Sequence, residues 1–260
     1  MTKPRNTNKS LAYLLLIPLA SCNVSDIRTA SVLIQDPAAG AEQVLESKGR
    51  QYVLNPGQLP ADLKAYKTRL ENFIGFISDI WGEDDAREAG PKDYVKYTDK
   101  YFNRAHIDFE TGTVTIETLA PDSQETYLKK AIITTLLTPD DPRQVDLYSD
   151  ATPKEDGKPF LYEQVLDNEG KPIQWQWRAN KYAEYLIANK LTKVKIGKRN
   201  GLRVVFPLVA KHKEVRAYKY ASLVQKYSKK YKVNESLIYG IIKTESSFNP
   251  FAVSHAPAYG

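Results

Sequence analysis

The sequence predicts an α+β domain over residues 46–210 that leads into a helical segment over residues 211–260. Three patterns carry this reading. An apolar stripe at helical spacing runs through residues 61–81. Two stretches of alternating apolar residues, near 105–116 and 192–206, read as β-hairpins. Two more helical stripes lie between residues 214 and 245.

The elements follow in order. Leu63, Tyr66, Leu70, Phe73, Ile77 and Ile80 recur every three or four residues, which places them on one face of a helix over 61–81. Gly90 and Pro91 then break the chain. Ala105, Ile107 and Phe109 alternate, and Val114 and Ile116 follow a turn at residues 110–112. A helix over 124–137 is stopped by Pro139 and Pro142, and a polar loop runs to about 159. The acidic pairs Asp84/Asp85 and Asp140/Asp141 read as turn and capping residues. Trp175 and Trp177 are two apart and share one face of a predicted strand. Exposed, they could stack on sugar rings, but core burial is the expectation. A helix over 179–191 precedes the second hairpin, whose strands 192–196 and 202–206 are joined through Gly197–Gly201 with Asn200-Gly201 in the turn. Residues 46–210 show no catalytic constellation.

The formal charge is +6. Lys3, Arg5 and Lys9 belong to an N-terminal leader, and nine basic against two acidic residues lie between Lys211 and Lys243. No zinc-ligand spacing, phosphate-binding glycine loop or nucleic-acid module accompanies that charge, so nucleic acid is not the expected partner. The basic face could attract anionic strands, and a solvated helix face is the simpler account. One cysteine and three scattered histidines imply neither a disulfide nor a metal site, and no cofactor is expected.

Residues 1–21 have the parts of a secretory signal: the basic start, an apolar run from Leu11 to Ala20, then small residues. That run is too short to span a bilayer. The only cysteine, Cys22, closes the string L-A-S-C, which resembles the bacterial lipobox. The resemblance implies lipidation at Cys22, with residues 22–45 as a tether. Asn23 in place of an inner-membrane-retaining Asp implies an outer-membrane lipoprotein facing the periplasm. Several acyl chains anchor far more firmly than one.

Toward the C-terminus, Tyr220, Leu223, Val224 and Tyr227 form a stripe on a basic helix. Asn234 is placed to cap the next helix, with Val233 and Ile238 as a hydrophobic staple. On that helix Leu237, Ile238, Ile241 and Ile242 fall at about 0°, 100°, 40° and 140°, and Glu245 at about 80°. This predicts a Glu245 directed into the protein, where desolvation and the negative helix end favour the protonated acid. A protonated glutamic acid is what cleavage of a glycosidic bond needs. A glutamate beyond the end of the helix, or one held in a core hydrogen bond, is the alternative.

Residues 245–250 read E-S-S-F-N-P, and F-A-V-S-H-A-P-A-Y-G follows to Gly260. This string resembles the first motif of the soluble-lytic-transglycosylase catalytic domain, which has a goose-lysozyme-like, mostly α fold. Ile241, Ile242, Glu245, Ser246, Phe248, Asn249, Pro250, Ala252, Ser254 and Gly260 fall in register. The lipobox and the long preceding domain narrow the likeness to membrane-bound lytic murein transglycosylases. It implies that Glu245 is a single catalytic acid/base, that Ser246 contributes to substrate binding and that peptidoglycan glycan strands are the partner. It further implies cleavage between N-acetylmuramic acid and N-acetylglucosamine with a 1,6-anhydro product. The family motif continues past the glycine with Leu-Met-Gln, so residues 211–260 are expected to be only the start of the catalytic domain, of doubtful activity alone. A lysozyme-type muramidase and a non-catalytic murein-binding lipoprotein are the rival readings.

Overall fold

The computed structural model describes residues 53–155 and 157–253. The predicted signal peptide, Cys22, the 22–45 tether, Ser254 and Gly260 lie outside the described residues. The chain divides into two compact units, Met1–Tyr66 and Lys67–Gly260. The sheet and the candidate site belong to the second.

Helix α1 spans Gln58–Trp81. Phe73, Ile77 and Trp81, spaced by four, are its buried residues in the second unit. Gly82 ends it in a left-handed conformation, φ 88°, with its N–H on the Ser78 carbonyl at 2.9 Å.

Five strands follow: β1 (Asp93–Thr98), β2 (Asn103–Asp108), β3 (Thr113–Thr118), β4 (Thr192–Ile196) and β5 (Arg199–Pro207). They form one sheet in the order β1-β2-β3-β5-β4, and every neighbouring pair is antiparallel. Successive side chains leave a strand on opposite faces. On one face Val95, Tyr97 and Ile196 pack with Phe73, Ile77 and Trp81 of α1. On the other, Ala105, Ile107, Val114, Ile116, Val204 and Phe206 pack with α2 (Gln124–Leu137) and α3 (Gln176–Lys190). Helices on both faces make the expected α+β layers.

Strand β1 has no counterpart in the sequence expectations. Both of its faces are covered, so its residues are buried almost without interruption. Even Lys96 is buried, its Nζ donating to the Ser149 carbonyl at 2.6 Å. A strand buried on both faces loses the alternation that reveals a half-exposed one.

Two expectations are corrected. The β4–β5 turn lies at Gly197 and Lys198, because Ile196 pairs with Arg199; Asn200 and Gly201 are inside β5, opposite Lys195 and Val194. Gly197 takes φ 53° there. Gly201 serves a different purpose: a Cβ on it would lie 2.4 Å from the Thr118 carbonyl oxygen. The second correction concerns Trp175 and Trp177, which are neither on a strand nor in the core. Trp175 is the N-cap of α3 and Trp177 lies in its first turn, and they are 60% and 59% exposed. Alternation over three residues also fits a loop entering a helix, and here the helix begins at Gln176.

The C-terminal segment forms three helices, α4 (His212–Lys219), α5 (Ala221–Tyr231) and α6 (Glu235–Ser246). The basic helix expected through Tyr220 is interrupted there, at φ −96° and ψ 1°. Asn234 caps α6 as expected, its Oδ1 accepting from the Ser236 N–H at 2.8 Å.

Candidate active site

The E-S-S-F-N-P string sits where α6 ends against the sheet domain. Ser247 and Phe248 both take left-handed φ, at 49° and 60°. For side chains with a Cβ this costs on the order of 1 kcal/mol each. Three contacts hold the bend. The Ser247 N–H bonds the Lys243 carbonyl at 3.1 Å, closing the helix. Arg216 Nε donates to the Ser247 carbonyl at 3.0 Å. The Phe248 ring stacks on Tyr220 at 6.3 Å and lies beside Tyr239 at 6.2 Å.

Asn249 then ties the string to the start of β1. Its buried amide Nδ2 lies within 3.4 Å of the Gly90, Pro91 and Asp93 carbonyls, and its Oδ1 accepts from the Phe251 N–H at 2.9 Å. Phe251 enters the core between Tyr94 and Phe160, 5.0 Å from each ring centre. The Val253 N–H reaches the Gly90 carbonyl at 3.3 Å.

Arg216 is 1% exposed and has no carboxylate among its hydrogen-bond partners. It donates to Ser247 O, to Gln164 Oε1 at 2.8 Å, to Phe109 O at 3.2 Å and to His212 Nδ1 at 3.0 Å. Arginine cannot accept, so His212 presents the lone pair of a neutral ring. Burial, then the Arg216 charge, lower the His212 pKa and agree with that state. Burial also pushes the guanidinium down to about 10, with Tyr220 and Glu214 opposing. Stacking on Phe109 at 4.5 Å completes the cage. The basic run around it gives no sequence signal for this residue, because a lysine-rich helix reads as solvated.

Glu245 lines a cavity of about 480 Å³ together with Tyr220, Ile242, Ser246, Phe248 and Asn249. It is the one carboxylate among that cavity's lining residues. The structure corrects its expected burial: Glu245 is exposed, as are Leu237 and Ile241 at 56% and 54%. A helical wheel puts all four apolar residues of α6 on one arc, but only part of that arc is covered. The inward stripe is instead Ile238, Ile242 and Ser246, each partly buried. This turns the buried face by roughly 60° and leaves Glu245 at the cavity rim. Ser246 lines the same cavity, with its hydroxyl donating to the Ile242 carbonyl at 3.1 Å. Among the described residues no group of three or more His, Cys, Asp or Glu could hold a metal ion.

Comparison with known proteins bears on what this site is. Residues 59–219 match the family described as membrane-bound lytic murein transglycosylase C, N-terminal domain. The chain belongs to that family. Residues 222–260 match the transglycosylase SLT domain, so the Glu245 segment falls within that second match. A membrane-bound lytic murein transglycosylase C of Photorhabdus laumondii is 52% identical over 200 residues, covering 76% of this chain and 56% of the relative. The protein of that name from Edwardsiella ictaluri is 47% identical over 220 residues, covering 83% and 58%. One from Klebsiella pneumoniae is 48% identical over 204 residues, covering 76% and 56%. The chain thus spans little more than half the length of these relatives. The α+β layers and the helices after them agree with the two family matches and with the fold class read from the sequence.

Proposed function

We propose that the protein is a peptidoglycan lytic transglycosylase in which Glu245 acts as the single acid/base. The observation that carries this is the placement of Glu245: the sole carboxylate lining a cavity of about 480 Å³, within the segment that matches the transglycosylase SLT domain. Relatives about half identical to this chain over the aligned 200–220 residues bear the name lytic murein transglycosylase. Glycosidases that add water generally need two carboxylates, and one suffices if the second nucleophile is the substrate's own hydroxyl.

In this reading a glycan strand lies across the cavity, with Ser246 in the substrate-binding rim. Covering the cavity excludes water from Glu245 and favours the proton-bearing acid. Glu245 protonates the glycosidic oxygen as the bond from N-acetylmuramic acid to N-acetylglucosamine breaks. The resulting carboxylate takes the proton of the muramic acid 6-hydroxyl, whose oxygen closes on the anomeric carbon. The product is a 1,6-anhydro sugar, and Glu245 ends protonated, as it began.

The same proposal covers organisation and place. Residues 1–21 are a lipoprotein signal, Cys22 carries the lipid, residues 22–45 are the tether, 46–210 the α+β domain and 211–260 the opening of the catalytic domain. The anchored protein works at the outer membrane from the periplasmic side. Among the described residues no helix is long and apolar enough to cross a membrane. Globomycin treatment of expressing cells, followed by mass analysis of the N-terminus, tests the anchor. A diacylglyceryl-modified precursor supports it, and an unmodified Cys22 refutes it. Digestion of purified sacculi by the full-length protein tests the chemistry, with anhydro ends as the expected product.

A further inference from the structure

The α3 entrance carries a second feature, apart from the Glu245 cavity. Trp175 and Trp177 stand 60% and 59% exposed, whereas Trp81 is fully buried. An exposed indole left to itself samples several rotamers, but Trp177 is braced. The Arg178 guanidinium lies over its ring at 4.5 Å. Arg178 is in turn paired with Asp167, whose side chain is 3% exposed, and lies 3.8 Å from Glu169. Asp167 is fixed by the backbone N–H groups of Glu169 and Lys171, both at 2.9 Å. A buried carboxylate therefore holds a cation, and the cation holds one face of an indole.

Charge decides what such a surface suits. Arg178 and Lys181 are both paired, with Asp167 and Glu169, so neither presents an unpaired charge to an anionic lipid surface. In the sequence the two indoles alternate with the amides Gln174 and Gln176, and Arg178 follows Trp177. An exposed flat indole face suits a pyranose ring, which presents C–H groups on its faces and hydroxyl or acetamido groups at its rim.

We propose that Trp175 and Trp177 form a glycan-stacking platform on the α+β domain, holding pyranose rings of an N-acetylated aminosugar strand. The choice of strand rests on the function proposed above; the exposure of the two indoles and the bracing of Trp177 do not. The platform retains the polymer, and Glu245 takes no part in it.

Co-sedimentation with purified sacculi tests this, carried out in the Glu245→Gln background so that the polymer is not consumed. Trp175→Ala/Trp177→Ala is expected to bind about tenfold more weakly or worse, and Trp177→Tyr to keep most of the binding. Titration with soluble N-acetylglucosamine oligomers should shift the tryptophan emission to the blue, and the shift should vanish in the double variant, whose remaining Trp81 is buried. The same signal and a thermal melt report whether each variant is folded. Unchanged sacculus binding by the folded double variant overturns the proposal, as does a wild type that does not sediment. Tryptophan-dependent binding only to phosphatidylethanolamine/phosphatidylglycerol vesicles overturns it as well. Anhydro products from the wild type would leave the transglycosylase reading standing in each of those cases, so the two proposals fail separately.

Discussion

Asn249 illustrates what a single residue contributes to the site. The motif announces it, but its spacing does not reveal that the amide bonds carbonyls more than 150 residues earlier in the chain. Asn249→Ala would leave those buried groups short of a partner and should cost about 2 kcal/mol, read as a lower urea midpoint. Glu245 teaches the reverse lesson. Its place on the helix was legible, yet its exposure was not, because a helical wheel gives the apolar arc without saying which part of the arc has cover. Buried titratable groups make a further prediction. Burial pushes Lys96 from 10.5 down to about 8, against the pull of Asp146 and Asp150. Between those pH values the unfolded chain holds a proton that the folded chain has released, so stability rises with pH. Burial raises Tyr182 from 10.0 to about 12 and Tyr94 further still, so above pH 10 the unfolded tyrosines ionise first, outweigh the opposite contribution of Arg216, and stability falls. Unfolding midpoints measured across this range should climb from about pH 8, peak near roughly pH 10 and then drop. Lys96→Met should flatten the climb and keep the drop.

At the scale of elements, hairpin β2–β3 and helix α2 were readable because each has a clean period and a strong stop. The β2–β3 turn also shapes the seat of α4: Asp108 Oδ1 accepts from the Glu110 and Thr111 N–H groups, and Gly112 at φ 74° leaves room for the His212 ring. Strand β1 was hidden by burial on both faces. The expected β4–β5 connection, Gly197–Gly201, contains the observed turn but runs too long, because Asn-Gly is a strong turn signal, whereas Gly201 is required by the close approach of β5 to the end of β3. Gly201→Ala tests that account directly. The new methyl would meet a carbonyl oxygen at 2.4 Å and the Leu119 Cδ2 at 2.6 Å. A loss of about 2 kcal/mol is expected in chemical denaturation; an Asn-Gly turn without that contact would tolerate alanine far better.

Across the whole molecule, the second unit works as a rigid seat for the end of α6. Arg216 joins the β2–β3 turn, Gln164 and the Ser247 bend through one buried side chain, and Asn249 joins the same bend to β1. The sheet domain thereby sets the direction in which Glu245 projects, a coupling that no local pattern in the sequence displays because its partners are distant in the chain. The central claim is that Glu245 alone performs the proton transfers that release an anhydro sugar. Mass spectrometry of sacculi digested by the full-length protein and by its Glu245→Gln variant tests this most directly. The account predicts 1,6-anhydro ends from the wild type and at least about a hundredfold fewer from the folded variant. Reducing ends from the wild type, or undiminished anhydro products from the variant, would contradict it.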